Sequence, residues 1–149
     1  MIRRLFLLIP IFALLTAEAC APASQTAHQT FSGSAAMSYG DLVEHLRSSG
    51  MKVESLGDVE QPFFTRTARV IRLGSTGEAQ VYEYATEDQA AADAAKVSSN
   101  GSIGGSMPMW VAPPHFFRRR NLIVLYLGSD DTTLLNLRGL LGNEFAGQR

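Results

Sequence analysis

Two rhythms of apolar spacing run along this chain, and the points where they switch mark its elements. Leu42, Val43 and Leu46 recur at the three- and four-residue spacing of an amphipathic helix. Ser38 and Asp41 stand at capping-box spacing ahead of it, and Gly50 supplies a left-handed stop. His45 lies between Glu44 and Arg47 on the polar side and is expected to face solvent. Residues 51–55 form a short strand candidate, followed by a turn-rich stretch over 57–64. Residues 67–73 and 79–85 are rich in β-formers, and Gly74-Ser75-Thr76-Gly77 between them predicts a hairpin. In the second of these strands Tyr82 and Tyr84 share one face, while Val81, Glu83 and Ala85 share the other.

The helical rhythm returns at Thr86-Glu87-Asp88-Gln89, a capping box with two acids at the positive end of the helix dipole. Ala90, Ala91, Ala92, Ala94 and Ala95 follow, and such small side chains let a helix lie close on a sheet. Residues 100–106 form a glycine loop without the Gly-Lys-Ser/Thr ending of a phosphate-binding loop. Extended stretches at 107–112 and 115–120 flank Pro113-Pro114, which marks a bend, bulge or strand edge because proline cannot donate to a ladder. Residues 122–127, LIVLYL, read as a central strand covered on both faces. A last helix starts at Ser129 or Asp130, carries Leu134, Leu135, Leu137, Leu140 and Leu141, and stops at Gly142. The order α-β-β-β-α-β-β-α predicts an α+β fold: a two-layer sandwich of a four- to five-stranded, mainly antiparallel sheet with about three helices on one face. A ferredoxin-like core is one arrangement this order allows.

Ahead of that domain the pattern is different. Arg3 and Arg4 precede an apolar run over residues 5–15, too short to span a bilayer and of the right length for a signal-peptide core. Arg3-Arg4-Leu5-Phe6-Leu7 also resembles the core of a twin-arginine signal, although the flanking polar residues are missing. Ala17-Glu18-Ala19 is an A-x-A cleavage site, and the same bond precedes Cys20 in a segment that resembles a bacterial lipobox. Ala17 and Glu18 depart from the lipobox pattern, while an unpaired cysteine at the cleavage point is accounted for by lipidation. The expected organisation is a signal peptide over 1–19, lipid-attached Cys20 with a flexible tether over 20–37, and one globular domain over 38–147. Residues 21–36 carry no acidic or basic side chain apart from His28. As a coil they would reach roughly 20–25 Å. The expected location is a bacterial membrane surface facing the periplasm or exterior, with soluble export as the alternative.

Composition narrows the function classes. The 149 residues carry 13 Lys plus Arg against 14 Asp plus Glu. Without residues 1–19, 11 basic and 13 acidic residues remain, which does not suit a nucleic-acid binder. One cysteine and three scattered histidines (His28, His45, His115) exclude a disulfide scaffold and a zinc site. No cofactor is implied, and a core drawn from 46% hydrophobic residues must hold the domain.

The stretches VEQPFF (59–64), VYEYATEDQAAADAA (81–95), WVAPPHFFRRRNLIVLYLG (110–128) and FAG (145–147) give the chain a resemblance. Over residues 41–147 it resembles an uncharacterised family of small, exported, lipoprotein-like bacterial proteins of unknown function. That resemblance implies an exported bacterial protein and transfers no site.

The densest chemistry lies over residues 110–120, with Trp110, His115, Phe116 and the arginines 118–120 beside a double proline. One reading is a ligand pocket built from Trp110, His115 and Arg118 with the Tyr82 and Tyr84 face. The other is a strand pair whose aromatics serve the core while its arginines face water. Glu83 is expected on an exposed strand face or paired with Arg69 or Arg72, rather than as a partly buried carboxylate with a raised pKa. No catalytic set is legible: there is no G-x-S-x-G, and residue types alone propose no triad. The pattern therefore points to a non-catalytic envelope module, held by its lipid, that binds an envelope protein or a cell-wall component. A small-molecule-binding or enzymatic domain using residues 110–120 is the second reading.

Overall fold

A computed structural model describes residues 36–147. The leader, Cys20 and residues 20–35 of the expected tether lie outside the described residues. The described chain runs α1 (Tyr39–Ser48), β1 (Val53–Val59), β2 (Ala68–Leu73), β3 (Gly77–Glu83), α2 (Glu87–Ala94), β4 (Pro114–Arg119), β5 (Leu122–Leu127), α3 (Asp131–Leu141) and β6 (Ala146–Gly147). This is an α+β fold in which, among the described residues, three helices accompany one open six-stranded sheet. The sheet order is β1-β2-β3-β5-β4-β6, and every neighbouring pair is antiparallel.

The helices start where their caps place them. The Asp41 amide donates to the Ser38 hydroxyl at 3.1 Å and the Ser38 amide to the Asp41 carboxylate at 2.9 Å, so both halves of that capping box form. At α2 the Gln89 amide donates to the Thr86 hydroxyl at 3.3 Å, without the reciprocal bond expected from Gln89. Asp130, not Ser129, caps α3, accepting from the Thr133 amide at 2.7 Å.

All six residues of β5 are buried because the strand is central and covered on both sides. Leu122, Val124 and Tyr126 join a core with Leu42 and Leu46 of α1 and Leu134 and Leu137 of α3. Ile123, Leu125 and Leu127 join a second core with Tyr82, Phe64 and Ala90 and Ala94 of α2. The expectation of helices on one face of a two-layer sandwich is therefore corrected: α1 and α3 cover one face, and α2 with the segment after it covers the other. Topology gives the reason. The β3–α2–β4 connection steps over β5, and the β5–α3–β6 connection steps over β4, in the same direction across the sheet but from oppositely running strands. Crossovers of one hand then place their helices on opposite faces. A single split β-α-β unit of the ferredoxin-like kind is present around β5. The second crossover runs outward to β6, since β2 already occupies the far side of β3, so the ferredoxin-like arrangement is not formed.

Three boundaries also move. β1 continues through the stretch expected to turn, with a bulge between Ser55 and Gly57. Residues 107–112 join no strand. Met37, assigned to the tether, is 3% exposed and its amide donates to the Asn121 side chain at 3.1 Å, so packing begins there.

Candidate functional site

Tyr82 and Tyr84 lie on the α2 face, as their alternation predicts, and both are spent on internal bonds. The Tyr82 phenol donates to Gln80 Oε1 at 2.8 Å, and its ring meets Phe64 edge-on with centroids 4.6 Å apart. The Tyr84 phenol donates to Asp93 Oδ2 at 2.9 Å. Asp93, on the inner side of α2, is 2% exposed. The same oxygen accepts from the Thr65 amide at 2.7 Å and the Thr65 hydroxyl at 2.8 Å, while Oδ1 accepts from Lys96 at 2.5 Å. Burial alone would favour the neutral acid. The bonds from Lys96, Thr65 and Tyr84 outweigh it and hold the Asp93 carboxyl below its ordinary value. Burial, and next the bond to Asp93, push the Tyr84 phenol far up; burial does the same to Tyr82. Neither phenol can serve as a nucleophile near neutral pH.

Trp110 stacks edge-on against Phe63 and Phe116, with centroids 5.9 Å away in both cases. Its Nε1 is buried without a hydrogen-bond partner among the described residues. His115 is the residue before Phe116 on β4 and so points to the other face of the sheet. There its Nδ1 is 3.5 Å from Glu144 Oε1 and its ring 6.1 Å from Tyr126. Arg118 returns to the α2 face, where its guanidinium is 4.0 Å from Glu87. The structure thus brings Tyr82, Tyr84, Trp110 and Arg118 to one face and places His115 on the opposite one. The pocket beside Trp110, about 280 Å³, is lined by Met107, Pro108, Ala112, Pro113 and Pro114 and holds no ionisable side chain.

Glu144 and Asn121, like Asp93, were not singled out by the sequence reading. Glu144 receives the Arg138 fork at 3.0 Å and 3.1 Å from Nε and 2.6 Å from Nη2. These bonds hold the Glu144 carboxyl below its ordinary value. Asn121 accepts from the Met37 amide and donates to the Tyr84 carbonyl at 3.1 Å, joining the domain's first described residues to the end of β3. Neither follows a helical or strand period, so only the glutamate's nearness to Arg138 in the chain hinted at a pair.

The larger concavity is a groove of about 650 Å³ at the β2–β3 end, where Arg66, Thr67, Arg69 and Glu83 lie together. Arg69 sits 4.6 Å above the Tyr39 ring and 3.7 Å from Glu83, the pairing expected from the sequence. Arg66 donates to the Glu83 carbonyl at 3.1 Å. Two guanidinium groups can grip an oxyanion, and Glu83 competes with it. Among the described residues no three His, Cys, Asp or Glu side chains cluster as metal ligands. No described helix is long and apolar enough to cross a membrane.

The surface departs from the ordinary in one place. Met107, Met109 and Val111 are 58%, 98% and 89% exposed, three of the five large apolar side chains left in water among the described residues. They alternate with Pro108, Trp110 and Ala112, so one side of this extended segment packs on the sheet and the other presents an apolar strip.

These features define the class: an α+β domain with an open antiparallel sheet, buried polar side chains bonded within the fold except the Trp110 indole, and an apolar strip on its α2 face. Comparison with family models, with curated proteins and with solved structures finds no match to this chain.

Proposed function

We propose that this chain is an exported bacterial envelope protein, anchored through lipid on Cys20, whose domain is a non-catalytic interaction module. The observation that carries the proposal is the exposed strip of Met107, Met109 and Val111 in a domain whose interior polar side chains serve its own fold. An apolar strip of this kind is a contact surface. The leader pattern and the unpaired cysteine at its end support export and anchoring. The enzymatic reading on residues 110–120 loses its support, because Trp110 and His115 lie on opposite faces of the sheet.

Mass spectrometry of the mature protein tests the anchor. The expected amino terminus is Cys20 carrying a diacylglyceryl group. An unmodified terminus at Cys20, or a chain beginning at Met1, would sink that part of the proposal. Cross-linking in native membranes tests the module, and a chain recovered without any lipid or protein adduct counts against it.

A further inference from the structure

From the composition and placement of the strip we infer that its occupant is the lipid surface itself, so that the domain lies on the membrane with its α2 face down. This rests on the anchored, exported reading above. Residues 97–114, which pack beside α2 on that face, contain no Asp, Glu, Lys, Arg or His in a chain that is 18% charged, so the charges of this face stay on α2 and at Arg118, away from the strip. The segment therefore offers no charge pattern by which a protein partner would be steered or told apart from others. Pro108, Pro113 and Pro114 have no amide hydrogen, which lowers the desolvation cost of setting this stretch among headgroups. Met107, Met109 and Val111 stand outward together and can enter the acyl boundary while the backbone stays at headgroup depth. Sixteen residues separate Cys20 from Met37, a path of about 60 Å at full extension. A connection of that length keeps the domain at high effective concentration against the lipid that anchors it. Lying on the strip, the domain turns α1, α3 and the groove of Arg69 and Glu83 away from the membrane, free for a second contact.

The single cysteine allows a test that does not depend on lipidation in the cell. The full mature chain, residues 20–149, is coupled through the Cys20 thiol to a maleimide lipid in vesicles of phosphatidylethanolamine and phosphatidylglycerol. Met109→Trp reports from the strip, and Leu135→Trp, 66% exposed on α3, reports from the other side. With lipids brominated near the headgroup, the emission that Met109→Trp adds to that of native Trp110, measured against the unsubstituted chain, falls by about half or more, as an interfacial position requires, and the emission added at 135 does not change. Replacing Met107 and Val111 by Ser in the Met109→Trp chain removes the quenching while the protein stays on the vesicles. Equal emission in brominated and plain vesicles overturns the inference, and so does equal quenching at 109 and 135. Concentration-dependent shielding of the Met109→Trp reporter from acrylamide without vesicles overturns it as well, in favour of a second copy on the strip. None of these outcomes bears on whether the cell lipidates Cys20, which the mass of the mature protein decides separately.

Discussion

Asp93 gathers four donors around one buried carboxylate, and its position explains why the loop before β2 lies where it does. Thr65 holds that loop, Tyr84 holds the end of β3, and Lys96 closes the site while also donating to the Phe63 carbonyl at 3.3 Å. Asp93→Asn keeps the shape but loses the charge, so the expected loss in urea denaturation is about 2–4 kcal/mol near neutral pH. The exposed Lys96 supplies no more than about 1 kcal/mol of it. The pH dependence follows from the lowered carboxyl. A group with a depressed folded pKa stabilises above its unfolded value and loses that stabilisation as pH falls through the folded one. The gap between wild type and Asp93→Asn should be full above about pH 5 and shrink steadily below about pH 4. A gap that stays constant down to about pH 2 would show that folding does not lower the Asp93 carboxyl. The sequence reading did not single out Asp93, because its Thr65 and Tyr84 partners lie 28 and 9 residues away in the chain.

At the scale of elements, packing separates glycines that look alike in the sequence. A Cβ on Gly77 would stand 2.7 Å from the Tyr126 ring, because the tyrosine of β5 leans over the start of β3. Gly77→Ala should cost about 1–3 kcal/mol as overpacking. Gly139, in the exposed face of α3, has nothing within 4 Å of the same added atom. Gly139→Ala should stabilise by about 0.5–1 kcal/mol, through helix propensity and a less flexible unfolded chain. Thermal melts of the two variants against wild type check both signs at once. Most element positions were readable: the caps at Ser38, Thr86 and Asp130, the 74–77 turn, and the central placing of LIVLYL all follow from local pattern. The extension of β1 and the loss of 107–112 from the sheet were not, since each depends on whether a neighbouring strand is there to pair with.

Across the whole molecule, two apolar cores share one sheet. β5 contributes alternate residues to each, so neither core can dissolve without exposing the other side of the same strand. Unfolding should therefore be a single transition. Trp110, the chain's sole tryptophan, reports on the α2 face, while far-ultraviolet circular dichroism reports on helices of both faces. The two probes are expected to give coincident urea midpoints; separated midpoints would mean that the faces fold independently. The same architecture disposes of the pocket that residues 110–120 suggested. Adjacent strand positions send His115 to the α1–α3 face and Phe116, with Trp110 against it, to the α2 face.

By itself the sequence determined the α+β class, the order of helices and strands as far as α3 though not the sixth strand after it, their caps, and the two-faced alternation of Tyr82 and Tyr84, because each depends on neighbours within a few residues. It also carries the arginine pair, the apolar run over residues 5–15 and Cys20, on which the expectation of export and anchoring rests. The tertiary structure alone decided which strands pair, and hence that the crossovers put α2 and α3 on opposite faces of the sheet. It decided that Asp93 and Glu144 are bound inside the fold, and that Met107, Met109 and Val111 stand in water. Those outcomes depend on contacts between residues far apart in the chain, and a local pattern of apolar and polar positions holds no record of them.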